Sequence, residues 1–457
     1  MSQARVSHRP SDLTVAEIGQ QFRDGTLTPT CLVESLLEQV RRLEPTIGAW
    51  TTLDEDHLME AARQAGLEMA QHGMRSPLHG IPVGVKDIFY TSGVRTTMGS
   101  PIFADFVPWY DATVVARLKQ AGAIVMGKTV TTQFASLHPA ETRNPWNTEH
   151  TPGGSSSGSA AAVAAHMCPA ALGSQTGGSV IRPAAYTGTV GLKPTHGLIS
   201  LFGVFPVSWS LDTVGVLTRS VEDAALLLQE LAGYDRYDSE SLKAPSVDYL
   251  EASLSLERPP RIGLLKQFFF VRANADVTET VEDACETLAG AGAIVEEADL
   301  PKLFQDALDA QSVLQNVESA VVHKDIYPKH KELYGQKVRD QIEGGYAISA
   351  VTYAAAKQLQ PEFANEVAAT LAPFDVLLAP ATDVPAPRGL ESTGDPLFQR
   401  AWTYAGVPAI TLPAGLSAEG LPVGIQLIGR KLDEGRLLAV ARWCEEMLGW
   451  ELAPPLA

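Results

Sequence analysis

The sequence predicts an α/β protein, and two stretches carry that prediction. Residues 112–121 have helical character and run through Gly122 into the apolar strand Ala123-Ile124-Val125-Met126. Further on, RIGLL, a helix over roughly 277–290 and AIVEEADL form a strand–helix–strand unit. Helix-then-strand rhythm is the mark of helices packed on a sheet. With 457 residues the chain can bury a large core, and length alone allows two or three domains or one large unit with insertions.

From the N-terminus onward, Thr14 with Glu17 three residues later predicts a capped helix over 14–23. Thr28 followed by Pro29 predicts the cap and first turn of a second helix, along which Leu32, Leu36, Leu37, Val40 and Leu43 recur at helical spacing. Residues 53–72 read as a third helix ending near Gly73. Residues 81–85 are a short β-type run broken by Pro82 and Gly84, with Lys86 at its end. The segment TRNPWNTEHTPGG is a polar loop. Residues 214–217 read as a strand and 220–231 as a helix, with Ser220 as its cap and Glu222 and Asp223 in its first turn. Residues 234–260 read as a polar linker, and 303–370 as mostly helical with a break at Gly344-Gly345. FDVLLAP, PAITLPAG and VGIQLIG are strands bounded by Pro and Gly, and a helix over 434–448 closes the chain.

Composition removes several function classes. A net charge of −18 and the lack of any long Lys/Arg run argue against a nucleic-acid surface. Cys31, Cys168, Cys285 and Cys444 are far apart and lack CxxC spacing, so they read as reduced thiols rather than disulfides or zinc ligands. The start MSQARVSHRPSDLT has no apolar h-region, and no apolar run approaches the roughly 18 residues of a membrane span. The expected compartment is the cytoplasm, with no membrane contact.

The chemistry concentrates between Thr151 and Ser200. Two Gly-Gly-Ser turns, ending at Ser155 and Ser179, are separated by small residues long enough for a buried helix and little else. Glycine pairs let a ligand approach the main chain, and consecutive N–H groups beside a hydroxyl form an oxyanion site. A single GGSSSG is equally a flexible loop or a phosphate nest; the apolar run AAAVAAHMCPAALG and the partner turn weigh against a linker. Lys86 is either an exposed strand-end lysine or a base. Its neighbours Val83, Gly84, Val85 and Ile88 are apolar. Burial there would favour the neutral amine, and keeping a lysine neutral near pH 7 costs roughly 4 kcal/mol. None of the ten histidines stands in a nucleophile-elbow or HExxH context, and neither a P-loop nor GxGxxG is present.

In these residues the chain resembles the amidase signature family of serine hydrolases. The likeness runs through GIPVGVKD, TRNPWN, PGGSSSGSAAAVAA, TGGSVIRPAA, VGLKPTHGLIS, SLDTVG, FDVLLAP and GLPVGIQLIG. It implies a Ser–cis-Ser–Lys triad with Ser179 as nucleophile, Ser155 as proton bridge and Lys86 as base. It also implies an oxyanion hole from the N–H groups of Thr176, Gly177, Gly178 and Ser179, each such donor being worth about 3 kcal/mol. No cofactor and no metal are implied. The implied fold is a single α/β domain over 1–457, a central mixed, twisted sheet surrounded by helices. Its core spans about 75–220, with C-terminal strands at about 374–430 and a variable helical pocket region at about 300–370. Two positions depart from the family pattern: Gln175 stands where many members carry Asp, and Arg182 follows Ser179 by three residues rather than two. Arg182 is expected to support the loop, and Ser156 to hydrogen-bond within its turn.

The resemblance implies hydrolysis of a carbon–nitrogen acyl bond of a linear amide, or of a carbamate or urea as in urethanase-like enzymes. The alternative is the A-type subunit of a glutamyl-tRNA amidotransferase, in which the same triad makes ammonia for a partner. The acidic balance, Gln175 and the spacing around Arg182 weigh against that alternative, so the expected partner is a small-molecule amide or carbamate acted on by a monomer or homodimer, without nucleic acid. Phe202, Phe205, Trp209, Thr382 and Asp383 are expected to line the substrate pocket, core packing being the other reading of the aromatics.

Overall fold

The computed structural model of the chain describes residues 9–457. The first part of the polar N-terminal stretch, 1–8, lies outside the described residues. One mixed sheet of 11 strands runs through the described chain. In sequence these are β1 (Trp50–Thr52), β2 (Pro82–Lys86), β3 (Ile124–Thr129), β4 (Ala170–Gln175), β5 (Val190–Lys193), β6 (Thr213–Thr218), β7 (Arg261–Leu264), β8 (Ile294–Glu297), β9 (Val376–Pro380), β10 (Ala409–Leu416) and β11 (Pro422–Ile428). Across the sheet the order is β1-β3-β2-β4-β6-β5-β10-β11-β9-β7-β8. β2 runs parallel to β3 and β4, and β7 to β8 and β9, while the other neighbours are antiparallel. Parallel neighbours need crossovers. The helices Thr113–Gln120 and Ala275–Gly290 supply them for β2–β3 and β7–β8, and Ser157–Ala164 lies in the connection that carries the chain from β3 past β2 to β4.

Local signals set most of the helices. Thr14 and Glu17 form the capping box of Val15–Arg23, Thr28 caps Pro29–Ile47, and the Ser220 side chain accepts the Asp223 N–H. The closing helix is Glu434–Leu448. No helix among the described residues is long and apolar enough to cross a membrane.

Three expectations are corrected. The interval between the serine turns holds more than a helix, because β4 follows the buried helix Ser157–Ala164 and lies near the middle of the sheet. Its residues Ala-Ala-Leu-Gly-Ser-Gln are buried on both faces, so they show neither alternation nor β-branched enrichment. Gly344 and Gly345 do not break a helix; both lie inside Gln336–Ala347. A Cβ on Gly345 would stand 2.1 Å from the Asn316 carbonyl oxygen, so this glycine permits close approach of the helix Phe304–His323. The segment 234–260 is no free linker, for it holds the helix Tyr249–Leu254, capped by Asp248, with Tyr249 buried in the core.

Candidate active site

The parallel pairing of β2 with β4 sets their carboxyl ends side by side. Lys86 is the last residue of β2, and Ser174 and Gln175 end β4. Ser179 follows on the turn into the helix Ile181–Thr187, and Ser155 stands in the turn before Ser157–Ala164. The ends of parallel strands leave room for a ligand because the chain turns away there.

Lys86 is fully buried. Its Nζ lies 2.7 Å from Ser155 Oγ, 2.8 Å from Ser174 Oγ and 3.4 Å from the Ser174 carbonyl oxygen. Among the described residues no carboxylate pairs with it within 4.0 Å. Desolvation drives its pKa down to about 7, opposed by the Asp212 carboxylate. A neutral amine has two N–H groups and one lone pair, which three oxygen neighbours, two of them hydroxyls, can satisfy. The arrangement therefore favours an uncharged base in contact with a serine hydroxyl.

Ser155 is buried, and the peptide bond entering it is cis. Arg182 holds the preceding carbonyl: its guanidinium donates to Gly154 O at 2.6 Å, to Gly394 O at 3.0 Å and to Thr393 Oγ1 at 3.1 Å. Ser156 does not bond within its own turn. Its hydroxyl sits 3.3 Å from the Ser174 N–H and 3.4 Å from the Ser174 carbonyl, tying the turn to β4. Ser179 is half-buried, and among the described residues no hydrogen bond joins it to Ser155.

The turn carrying Ser179 is held from outside. Gln175 Oε1 accepts the N–H groups of Val180 and Ile181 at 2.9 and 3.1 Å, which a carboxylate could also do. Its Nε2 donates to Thr403 Oγ1 at 3.1 Å, which a carboxylate could not. The N–H groups of Gly177, Gly178 and Ser179 donate to no protein group among the described residues. A Cβ on Gly178 would lie 2.5 Å from Gln399 Oε1, so a larger residue there would have to displace the Gln399 side chain. The Thr176 hydroxyl donates to Asp212, whose buried carboxylate also accepts the N–H groups of Val207 at 2.8 Å and Ser208 at 3.0 Å. Burial pushes the Asp212 pKa up to about 6.

The residues expected to line a pocket scatter. Phe202 and Trp209 line a cavity of about 260 Å³ that reaches Asp212. Phe205 is a core residue, packed against Phe103, Phe134 and His323. Thr382 is buried, and the Asp383 carboxyl, held above its usual pKa by burial, has one oxygen without a partner. Sequence reasoning missed Ser174, Asp212 and Thr403. Asp212 lies within the motif SLDTVG; Ser174 and Thr403 give no local signal.

The Amidase family model matches residues 31–438. The chain is 37% identical to the A-type subunit of the glutamyl-tRNA(Gln) amidotransferase of Pseudomonas entomophila, over 97% of this chain and 99% of the relative. Among solved structures, the native peptide amidase of Stenotrophomonas maltophilia superposes with a TM-score of 0.85 at 30% identity, covering 97% of this chain and 99% of that one. A chain from a vestigial protein complex tied to the origins of an s-triazine catabolic enzyme superposes with a TM-score of 0.89 at 28% identity, covering 97% and 100%. The expected partner set is thereby corrected. A relative this similar over its whole length is named as one subunit of an enzyme for glutamyl-tRNA, which overturns the expectation of a small-molecule substrate alone, no nucleic acid and a monomer or homodimer. The net charge of one chain does not report on RNA that a partner protein could hold.

Proposed function

Since the chain belongs to the amidase signature family of carbon–nitrogen hydrolases, we propose that it cleaves its acyl–nitrogen bond through a covalent ester on Ser179. The observation that carries this reading is the 2.7 Å contact of buried Lys86 with Ser155. Neutral Lys86 takes the Ser155 proton while Ser155 takes that of Ser179, whose oxygen bonds the substrate carbonyl carbon. The oxygen so charged is received by the free N–H groups of Gly177 and Gly178. The proton returns through Ser155 to the nitrogen as the carbon–nitrogen bond breaks. Water then enters by the same relay and releases the acid. The Ser179–Ser155 hydrogen bond forms as substrate arrives, such bonds being commonly loose before then.

A fluorophosphonate tests the assignment without a known substrate. The Ser179 oxygen bonds phosphorus, fluoride leaves, and the proton passes to Lys86. The expected result is a single adduct by intact mass, mapped to Ser179 and absent from Ser179→Ala. Labelling that persists in that variant would sink the reading.

A second reading is favoured by the 37% identity to a component of an amidotransferase. In it the nitrogen leaves as ammonia and passes to a partner protein that holds a charged tRNA. Ammonia release from a panel of primary carboxamides, by the chain alone and with candidate partners, separates the two: stimulation by partners supports the assembly, and equal rates argue against it.

A further inference from the structure

In a trans peptide the C=O and the following N–H point in opposite directions, so whatever anchors a carbonyl also aims the next amide. Two side chains do this beside Ser179. Gln311, on the helix Phe304–His323, donates to the Thr176 carbonyl at 3.1 Å. Thr403, on the helix Leu397–Ala405, donates to the Gly177 carbonyl at 2.8 Å. The peptides so held carry the N–H groups of Gly177 and Gly178, two of the three named above that donate to no protein group among the described residues.

We propose that Thr403, with Gln311 beside it, is a positioning residue that aims the Gly178 and Gly177 amides at the oxygen becoming charged on the substrate. The direction of the Thr403 bond is set by the amide at position 175. Gln175 Nε2 donates to Thr403 Oγ1, so the hydroxyl proton has to go elsewhere, and it goes to Gly177 O. A carboxylate at 175 would instead accept that proton and release the carbonyl. Gln175, Gln311 and Thr403 are all buried, so water does not replace a bond lost here. The site thus takes its oxyanion geometry from helices far outside the two serine turns.

This inference rests on the Ser179 reading. Its test measures fluorophosphonate labelling of wild type, Thr403→Val, Thr403→Ser, Gln175→Glu and Ser179→Ala, resolving the limiting rate from the half-saturating concentration across pH. Removal of a whole oxyanion donor costs roughly 100- to 1,000-fold. Misalignment of one donor is expected to cost on the order of 10-fold in limiting rate. Thr403→Val should show that loss with half-saturation and the acid limb unmoved, because Lys86 is untouched, and Thr403→Ser should recover most of it. Gln175→Glu keeps the side-chain shape and should slow labelling similarly while moving the acid limb to higher pH, since a new negative charge favours protonated Lys86. A limiting rate within about twofold of wild type in Thr403→Val overturns the proposal, whatever Gln175→Glu does. So does equal loss in Thr403→Val and Thr403→Ser. If Thr403→Val does not fold, Gln175→Glu decides alone. Labelling that survives Ser179→Ala sinks the acyl-enzyme reading itself, a different failure from a normal Thr403→Val beside a dead Ser179→Ala.

Discussion

Among the described residues Lys86 hydrogen-bonds to oxygen atoms of serines only and has no ion-pair partner, the Asp212 carboxylate offsetting only part of the cost of burying its charge. Rate should therefore follow the neutral amine: labelling or turnover should rise with pH through about 7 and level off above it. Lys86→Met is expected to lose on the order of 1,000-fold in kcat/KM with the protein still folded, measured on any substrate the wild type turns over. Asp212 is the charge that opposes neutralisation, with Glu318 as the other charged group acting on it. Asp212→Asn removes a negative charge near Lys86, so the rising limb should move to lower pH; a limb that stays put would separate Asp212 from the base. Lys86, Ser155 and Ser179, the residues of the proposed triad, could be singled out in the sequence because each sits in a long motif with its own glycine or strand context. Ser174 and Thr403 were not, because their roles come from contacts made across the fold, Thr403 with Gln175 and Gly177 and Ser174 with Lys86.

At the scale of elements, the caps Thr14, Thr28 and Ser220 were legible because each side chain and its N–H lie within one turn, whereas the equally local caps Asp54, Asp248, Asn274 and Ser349 went unread. β4 was missed because a strand buried on both faces has no polar side to betray its period. Gly344 and Gly345 look alike in sequence and differ in what surrounds them. A Cβ on Gly344 meets nothing within 4 Å, whereas one on Gly345 collides with Asn316 O. Gly344→Ala should raise stability by about 0.5–1 kcal/mol, as expected in a helix interior. Gly345→Ala should lower it by about 1–3 kcal/mol through overpacking against the neighbouring helix. Chemical denaturation of the two variants checks this, and equal effects would contradict the packing role.

Across the whole molecule, three buried lysines share the depressed state: Lys86 and Lys193 at about 7 and Lys128 at about 8. Lys193 gives its N–H groups to the Val407 and Pro194 carbonyls at 2.6 and 2.9 Å, as a neutral amine can. An unfolded lysine titrates at about 10.4, so between the folded and unfolded values the unfolded chain binds more protons and stability rises with pH. Each such lysine contributes about 1.4 kcal/mol per pH unit in that window. Lys193→Met should remove one share: the unfolding free energy of wild type should gain on the variant as pH rises from about 8 to about 10. A constant gap would mean Lys193 is charged in the fold. The same proton balance decides the catalytic account, and it is read most directly by following the Lys86 side chain by NMR, assigned by its loss in Lys86→Met, as pH is raised. A midpoint at about 7 is expected. A Lys86 amine that stays charged to about pH 10 would contradict it.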